Sequence, residues 1–488
     1  MGRCKKKYRI ANHHILFVLV FVMSSGYGAP VGSNDAAAIA DLWYAMELNS
    51  GYLKITEQER SMRFAQMENH EVLYMVSKDE LLTTYPVDRT VLAYIIKYNP
   101  DGYVVVSGDD RIEPIMVCSA ESEFRWDQPE RNFLRNYLEK VVPALWSHMP
   151  GQVHKNWSLL RGKLSEIRDE VTYDDIGRAI YIYWYTPPWD QKGYYNDTCE
   201  AHNGGGNVAT GCVATALAIK MKYHNWPPNG TSSHAYNDTW GSIQYSHDVD
   251  FSDQTYDFAS MPGGGVYGPN AEVARIMYHA GVAVDMDYEI AESGAQTDKV
   301  ADAMNDYFRY RGTSSITGDT SVHIPRIQTS IIGKLPVQIG GWGHSAICDG
   351  YRDDISNQYH INAGWSGVGN GWYRLDSLPS GGGTISVSNA YGQPANWVYV
   401  NYAWSGAEDG RILQPFNTLA EGKTYLVSGG ELMIRSGSYT GTGNVPITFD
   451  KAGNKRAYAG DVWIGDNVYI RNYDAIRLFN GGRLKITP

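Results

Sequence analysis

Two residues in this sequence stand where nucleophilic chemistry could be built, Cys212 and His344. Cys212 lies in Ala209-Thr-Gly-Cys-Val-Ala-Thr-Ala-Leu-Ala-Ile-Lys-Met221, where Ala214, Leu217, Ala218 and Met221 recur at helical spacing. Pro227 closes that pattern, so the spacing predicts a helix that begins at Cys212, directly behind Gly211. A helix N-terminus offers unpaired N–H groups and a partial positive charge, and both favour the thiolate, the form of cysteine that attacks carbonyls. A lone cysteine is as readily a small buried hydrophobe, and position alone leaves both readings open.

A nucleophilic cysteine requires a base. Trp342-Gly-His-Ser-Ala-Ile-Cys-Asp-Gly-Tyr351 reads as a strand with His344, Ala346 and Cys348 on one face. Tyr359-His-Ile-Asn-Ala-Gly-Trp365 reads as its hairpin partner. On that partner Asn362 is placed to orient His344, the third role of a catalytic triad. His360 is the rival base on the same hairpin but lacks glycine neighbours, and any one of the 13 histidines could be a satisfied core residue.

The elements that must carry these residues sit in a chain of 488 residues, long enough for two or three domains. With 43% apolar and 19% charged residues it can build a sizeable core, which excludes global disorder. The net charge of -11 argues against nonspecific nucleic-acid binding, which depends on Lys and Arg at phosphates. Residues 1–29 read as a secretory signal peptide: a basic stretch from Arg3 to Arg9, the apolar run Ile15 to Met23, then small residues ending at Ala29. Nine apolar residues are too few to cross a bilayer, so the expected product is secreted, extracellular or cell-surface, with no membrane span once the signal is removed. Cys118, Cys199, Cys212 and Cys348 remain after it, enough for two disulfides whose pairing the sequence leaves open. No CxxC or HExxH motif supports a zinc site.

Residues 30–175 read as one unit of helices and strands: helical spacing from Asp35 to Leu48, strands at 91–98 and 102–107 joined by Asn99-Pro-Asp-Gly102, and helices at 132–145 and 157–170. Nothing in it assembles a catalytic set, and 172–178 is a polar stretch suited to an exposed linker. Residues 176–405 are rich in aromatic residues and glycine. From about residue 406 short β-like runs separated by Gly, Asn and Asp mark a small all-β module of solenoid texture, in which Trp463 and Tyr469 could be core or a glycan-binding surface.

These residues resemble the streptopain family of secreted bacterial cysteine peptidases, papain-like in fold. The resemblance runs through Ala209-Thr-Gly-Cys-Val-Ala-Thr-Ala, Met221-Lys-Tyr-His-Asn-Trp-Pro227, Val284-Asp-Met-Asp-Tyr288, Gly343-His344 to Asp349-Gly350, Tyr359-His-Ile-Asn362 and Gly371-Trp-Tyr-Arg-Leu-Asp376. The 132 residues from Cys212 to His344 are similar to the long Cys-to-His interval of papain-like proteases. Gly102-Tyr-Val-Val-Val-Ser-Gly-Asp-Asp-Arg111 resembles the family's inhibitory pro-domain. The implied fold class is α+β: a papain-like catalytic domain over 176–405, an α+β inhibitory pro-domain over 30–175, and the all-β module at 406–488.

The resemblance implies Cys212 as nucleophile and His344 as general base and acid. It implies Gln191 as oxyanion-hole donor beside the Cys212 backbone N–H, Asn362 as the asparagine next to the histidine, and Trp365 as the second tryptophan of that motif. Ser293, Gly294 and Ala295 fall in a loop (292–297) that resembles the family's cleft edge, as does 380–384. Partners would be protein or peptide substrates and the chain's own pro-domain, with no cofactor and no metal. One departure stands out: Ala363, where the family carries tryptophan after the asparagine. It motivates two rival readings, a catalytically impaired relative that binds peptide or glycan, and a thiol amidase acting on cell-wall peptides.

Overall fold

The computed structural model describes residues 28–50, 53, 55–76, 90–126, 133–147, 151–164, 181–199, 206–240, 242–290, 292–353, 357–375, 384–465, 468–470, 475–478 and 484–486. The proposed signal peptide up to residue 27, the linker at 172–178 and the loop at 380–383 lie outside them. Among the described residues no helix is long and apolar enough to cross a membrane.

Among the described residues the organising element is one antiparallel sheet of 11 strands. Its order runs Glu71–Val76, Val91–Lys97, Tyr103–Ser107, Ile115–Ser119, Gly371–Arg374, Gln358–Asn362, His344–Arg352, Val337–Gly341, Thr384–Ser388 and Ser315–Asp319, with Tyr181–Tyr183 also pairing onto His344–Arg352. The expected strands at 91–98 and 102–107 form as a hairpin, Lys97 opposite Tyr103. Their alternating Val, Ile and Tyr residues are buried on both faces because helices cover both sides. The two halves of the chain meet inside this sheet, where Trp372 pairs with Cys118 and Tyr373 with Val117.

Packing carries the same union. The helix Ser33–Asn49, found where helical spacing predicted one, is buried from Ile39 to Leu48 and lies over the strand Tyr103–Ser107. The helix Phe133–Ser147 sends Phe133, Leu134 and Tyr137 into a core that also holds Trp342, Ala346, Ile361 and Tyr373. A separate core gathers around the helix Cys212–His224, which packs against the helix Ala271–Val282 and the strand His344–Arg352. At the C-terminal end, Trp397–Val400, Gly430–Tyr439 and Gly453–Ile464 stack as a parallel ladder. Strand Trp397–Val400 thus shares a sheet with the C-terminal module although it precedes residue 406. Trp463 is exposed there, and Tyr399 donates to the Gly333 carbonyl at 2.6 Å, anchoring the ladder to the end of the helix Thr320–Ile332.

Candidate active site

Cys212 is the first residue of the helix Cys212–His224, and Gly211 precedes it at φ 82°. That left-handed backbone suits glycine, and a side chain there would strike Met286 Sδ at 2.5 Å and the Ser293 carbonyl at 3.0 Å. His344 opens the strand His344–Arg352 next to this helix. Gln338, fully buried on the adjoining strand, clamps the two together: its Nε2 donates to the Val213 carbonyl at 3.0 Å and to Ser345 Oγ at 2.9 Å. Sequence reasoning missed Gln338, because an isolated glutamine in a strand carries no pattern.

Cys212 and His344 line one cleft of about 840 Å³, together with Ser293, Gly294 and Ala295. Asp287, Glu289, Glu292 and Asp298 add acidic groups to its wall. The wall is held as a tight bridge in which Asp287 and Gly294 exchange backbone hydrogen bonds at 2.8 and 3.0 Å. Ser293 turns its hydroxyl away from the cleft to donate to the Ala209 carbonyl at 2.7 Å. A hydroxyl only 2% exposed must be satisfied internally, so Ser293 contributes wall rather than a free donor.

Gln191, Asn362 and Trp365 are buried and do not line this cleft. The Gln191 carbonyl accepts from Thr210 N at 3.1 Å, tying its segment to the residues just before Cys212. Its Nε2 has no hydrogen-bond partner among the described residues, an amide donor left unspent at 2% exposure. Asp190 fixes the turn by accepting from Gln191 N at 2.7 Å and from Ser366 Oγ at 2.7 Å.

Asn362 does not reach His344, contrary to the triad expectation. Its amide nitrogen donates to Thr186 Oγ1 at 2.9 Å and to the Pro187 carbonyl at 3.0 Å, and its Oδ1 accepts from Gly364 N at 3.1 Å. The group that holds the imidazole is the main-chain carbonyl of Ala363, 2.7 Å from His344 Nε2. A carbonyl only accepts, so Nε2 carries the proton and Nδ1 is left with the lone pair. Trp365 stacks on the ring at 5.3 Å and 20°. The tryptophan missing at 363 therefore removes no hydrogen bond, because the backbone supplies it.

Burial pushes the Cys212 thiol up to about 11, and the negative charge of Glu292 adds to that. The backbone N–H groups of Ser345, Cys212 and Val213 pull it partly back, as a helix start should. His344 is held below its ordinary value, first by burial, while the Ala363 carbonyl and Glu292 oppose the shift. Part of its surroundings comes from the N-terminal half, where the Phe133 ring lies 5.9 Å from the imidazole. All four cysteines of the described residues are free thiols, and Cys348 is fully buried with its thiol pushed well above the ordinary value by burial.

A helix-start thiol and an imidazole with a free ring nitrogen that line one cleft can carry out acyl transfer. Residues 189–373 match the sequence profile of the Peptidase C10 family. Streptopain of Streptococcus pyogenes serotype M1 is 28% identical over 313 residues, which span 60% of this chain and 76% of that protein. The thiol protease/hemagglutinin PrtT of Porphyromonas gingivalis is 25% identical over 302 residues, 58% of this chain and 33% of that one. In fold, a solved prointerpain A fragment from Prevotella intermedia superposes with a TM-score of 0.50 at 23% identity, covering 66% of this chain and 99% of that chain.

Proposed function

We propose that this chain, a streptopain-like cysteine endopeptidase made as a zymogen, does its chemistry with Cys212 as nucleophile and His344 as general base and acid. The observation that carries the assignment is that these two side chains share one cleft, with the imidazole fixed through Nε2 so that Nδ1 is the nitrogen left to face a thiol. The Cys212 thiolate attacks the scissile carbonyl, and the Cys212 N–H and Gln191 amide receive the oxyanion. His344 then protonates the leaving amine, and water releases the acyl group from sulfur. Trp365 covers one face of the imidazole and keeps water from the Ala363 hydrogen bond.

The N-terminal unit is read as the inhibitor of this site. It shares the sheet, and its Phe133 ring packs beside His344. With the thiol near 11 and the imidazole below its usual value, thiol and imidazole are both neutral at pH 7 in the full chain. Release of the N-terminal unit hydrates the site and lets the thiolate–imidazolium pair form. Iodoacetamide tests this. Alkylation of Cys212 in the unprocessed chain is expected to be slow at pH 7 and to climb until about pH 11. In the processed enzyme it is already fast near neutrality and extinguishes hydrolysis in step. Equal alkylation profiles before and after processing would remove the inhibitory role.

The wall of the cleft adds a substrate preference. Among the described residues the side chains of Glu289, Glu292 and Asp298 have no ion-pair or hydrogen-bond partner, and no Lys or Arg lines the cleft. Uncompensated carboxylates around a concave surface focus a negative potential that attracts cationic ligands and fades with salt. Peptides bearing Lys or Arg near the scissile bond are expected to show a KM several-fold below that of Glu-bearing counterparts, with the gap narrowing as salt rises. A gap that ignores salt would show that the preference is not electrostatic.

Secretion, read from the N-terminal segment, completes the proposal: an exported enzyme acting on protein or peptide substrates.

A further inference from the structure

Behind the Ala363 carbonyl lies a buried chain of hydrogen bonds in which every donor points the same way. Gly364 N–H donates to Asn362 Oδ1 at 3.1 Å, Asn362 Nδ2 donates to Thr186 Oγ1 at 2.9 Å, and the Thr186 hydroxyl donates to Asp349 Oδ2 at 2.5 Å. From the far side His360 Nδ1 donates to Asp349 Oδ1 at 2.6 Å. All four of these side chains are buried: Asp349 at 0%, Asn362 at 1%, Thr186 at 2% and His360 at 4% exposure. Asp349 occupies a β-bulge, where the register between the strands His344–Arg352 and Gln358–Asn362 shifts between Cys348 and Gly350. A bulge re-aims a side chain. The next residue is glycine, and a Cβ there would meet His360 Cβ at 2.8 Å.

The start of this hydrogen-bond chain and the hydrogen bond to His344 meet in one peptide. The N–H that begins it belongs to Gly364, and the carbonyl that holds His344 Nε2 belongs to Ala363, so both are parts of the same amide plane. Drawing on the N–H of an amide places more negative charge on its oxygen, and aligned hydrogen bonds reinforce each other in a low-dielectric interior. We propose that Asp349 and His360, acting through Thr186 and Asn362, are positioning residues for His344: they orient and polarise the 363–364 peptide whose carbonyl holds the imidazole. The inference rests on the assignment of His344 as the base. It gives Asn362 its role at one remove, through the backbone rather than by touching the ring. Peptide hydrolysis needs His344 to become positively charged, and an oxygen made more negative stabilises that charge while changing substrate binding little. The loss should therefore fall on kcat.

The charged and titratable groups that face this assembly are Tyr183, Tyr185, Cys348 and Glu121 around Asp349 and His360, and Cys212 and Glu292 around His344. The His360 ring is also held between Tyr183 at 4.3 Å and Trp372 at 5.2 Å.

The test uses the full chain after processing and a fluorogenic peptide. Thr186→Val keeps the shape and removes the hydroxyl that both accepts and donates. It is expected to lower kcat roughly ten- to a hundredfold with KM unchanged, and Thr186→Ser to recover most of that loss. Asp349→Asn removes the charge in a nearly isosteric side chain; its kcat is expected to fall likewise, and its kcat–pH profile to shift its His344 limb to lower pH. Asp349→Asn decides the matter if the valine variant does not fold. Wild-type kcat in a folded Thr186→Val or Asp349→Asn enzyme would overturn the proposal, as would Thr186→Ser falling as far as valine. Equal rates for wild type and His344→Gln would instead overturn the site assignment beneath it.

Discussion

Serine in place of Cys212 is expected to abolish hydrolysis of casein under reducing conditions, lowering the rate by roughly four to six orders of magnitude. The change swaps one atom, so the effect is chemical rather than structural. A serine hydroxyl does not ionise near neutral pH, and among the described residues His344 is bonded to the Ala363 carbonyl rather than to the carboxylate that strengthens the base of serine peptidases. The helix Cys212–His224 keeps its start because Gly211 and Gln338 fix it, not the sulfur. The melting temperature should therefore match the wild type within the error of measurement. His344→Gln should fall nearly as far, and the double variant no further, since groups that act as a unit are not additive. Casein cleavage that survives Cys212→Ser in processed, folded protein would place the chemistry elsewhere and reopen the amidase and binding readings.

The residues of this site differ in how far the sequence revealed them. Cys212 was legible because a helix start is written locally: a glycine, then apolar residues at helical spacing, then a terminating proline. The stripe understated the burial, since the helix is enclosed from Val213 to Met221, Lys220 included. Lys220 escapes isolation by donating to Asn389 Oδ1 at 2.8 Å and to the Asn389 carbonyl at 3.3 Å, contacts 169 residues away that no local pattern could show. His344 and Asn362 were legible as positions on a hairpin, but not as partners. Sequence exhibits side chains, whereas His344 is held by a main-chain carbonyl, and for the same reason Ala363 looked more damaging than its surroundings make it.

Long-range register was the other gap. Alternating Val and Tyr announced the hairpin 91–107, yet nothing local joins Ile115–Ser119 to Gly371–Arg374. That junction makes one sheet of two stretches read as separate domains. It also explains how an N-terminal unit that supplies no residue to the Cys212–His344 pair can still bear on the site: its helix Phe133–Ser147 shares a core with Trp342, two residues from His344.

The same junction sets up the second large effect, on Glu47→Ala. Glu47 projects from the helix Ser33–Asn49 and meets Arg352 at the end of the His344 strand, Oε1 to Nη1 at 2.7 Å, with side-chain exposures of 4% and 0%. Arg352 is further held by Gln358 Oε1 at 3.0 Å and Cys118 Sγ at 3.0 Å, and its guanidinium lies 4.4 Å over the Trp372 ring. Removing one member of a buried ion pair costs about 3–5 kcal/mol, a large share of the 5–15 kcal/mol by which whole domains are stable. The cost falls on the contact between the N-terminal unit and the catalytic half. Glu47→Ala should therefore lower the melting temperature of the unprocessed chain by several degrees and speed its conversion to the active form in a gel time course. The processed enzyme should keep wild-type kcat and KM, because there Glu47 is gone and solvent reaches Arg352. Processing and melting at wild-type values would show that Glu47 does not hold the two halves together. Impaired kcat in the processed enzyme would show instead that the N-terminal unit shapes the catalytic half before it leaves, a role in folding rather than in inhibition alone.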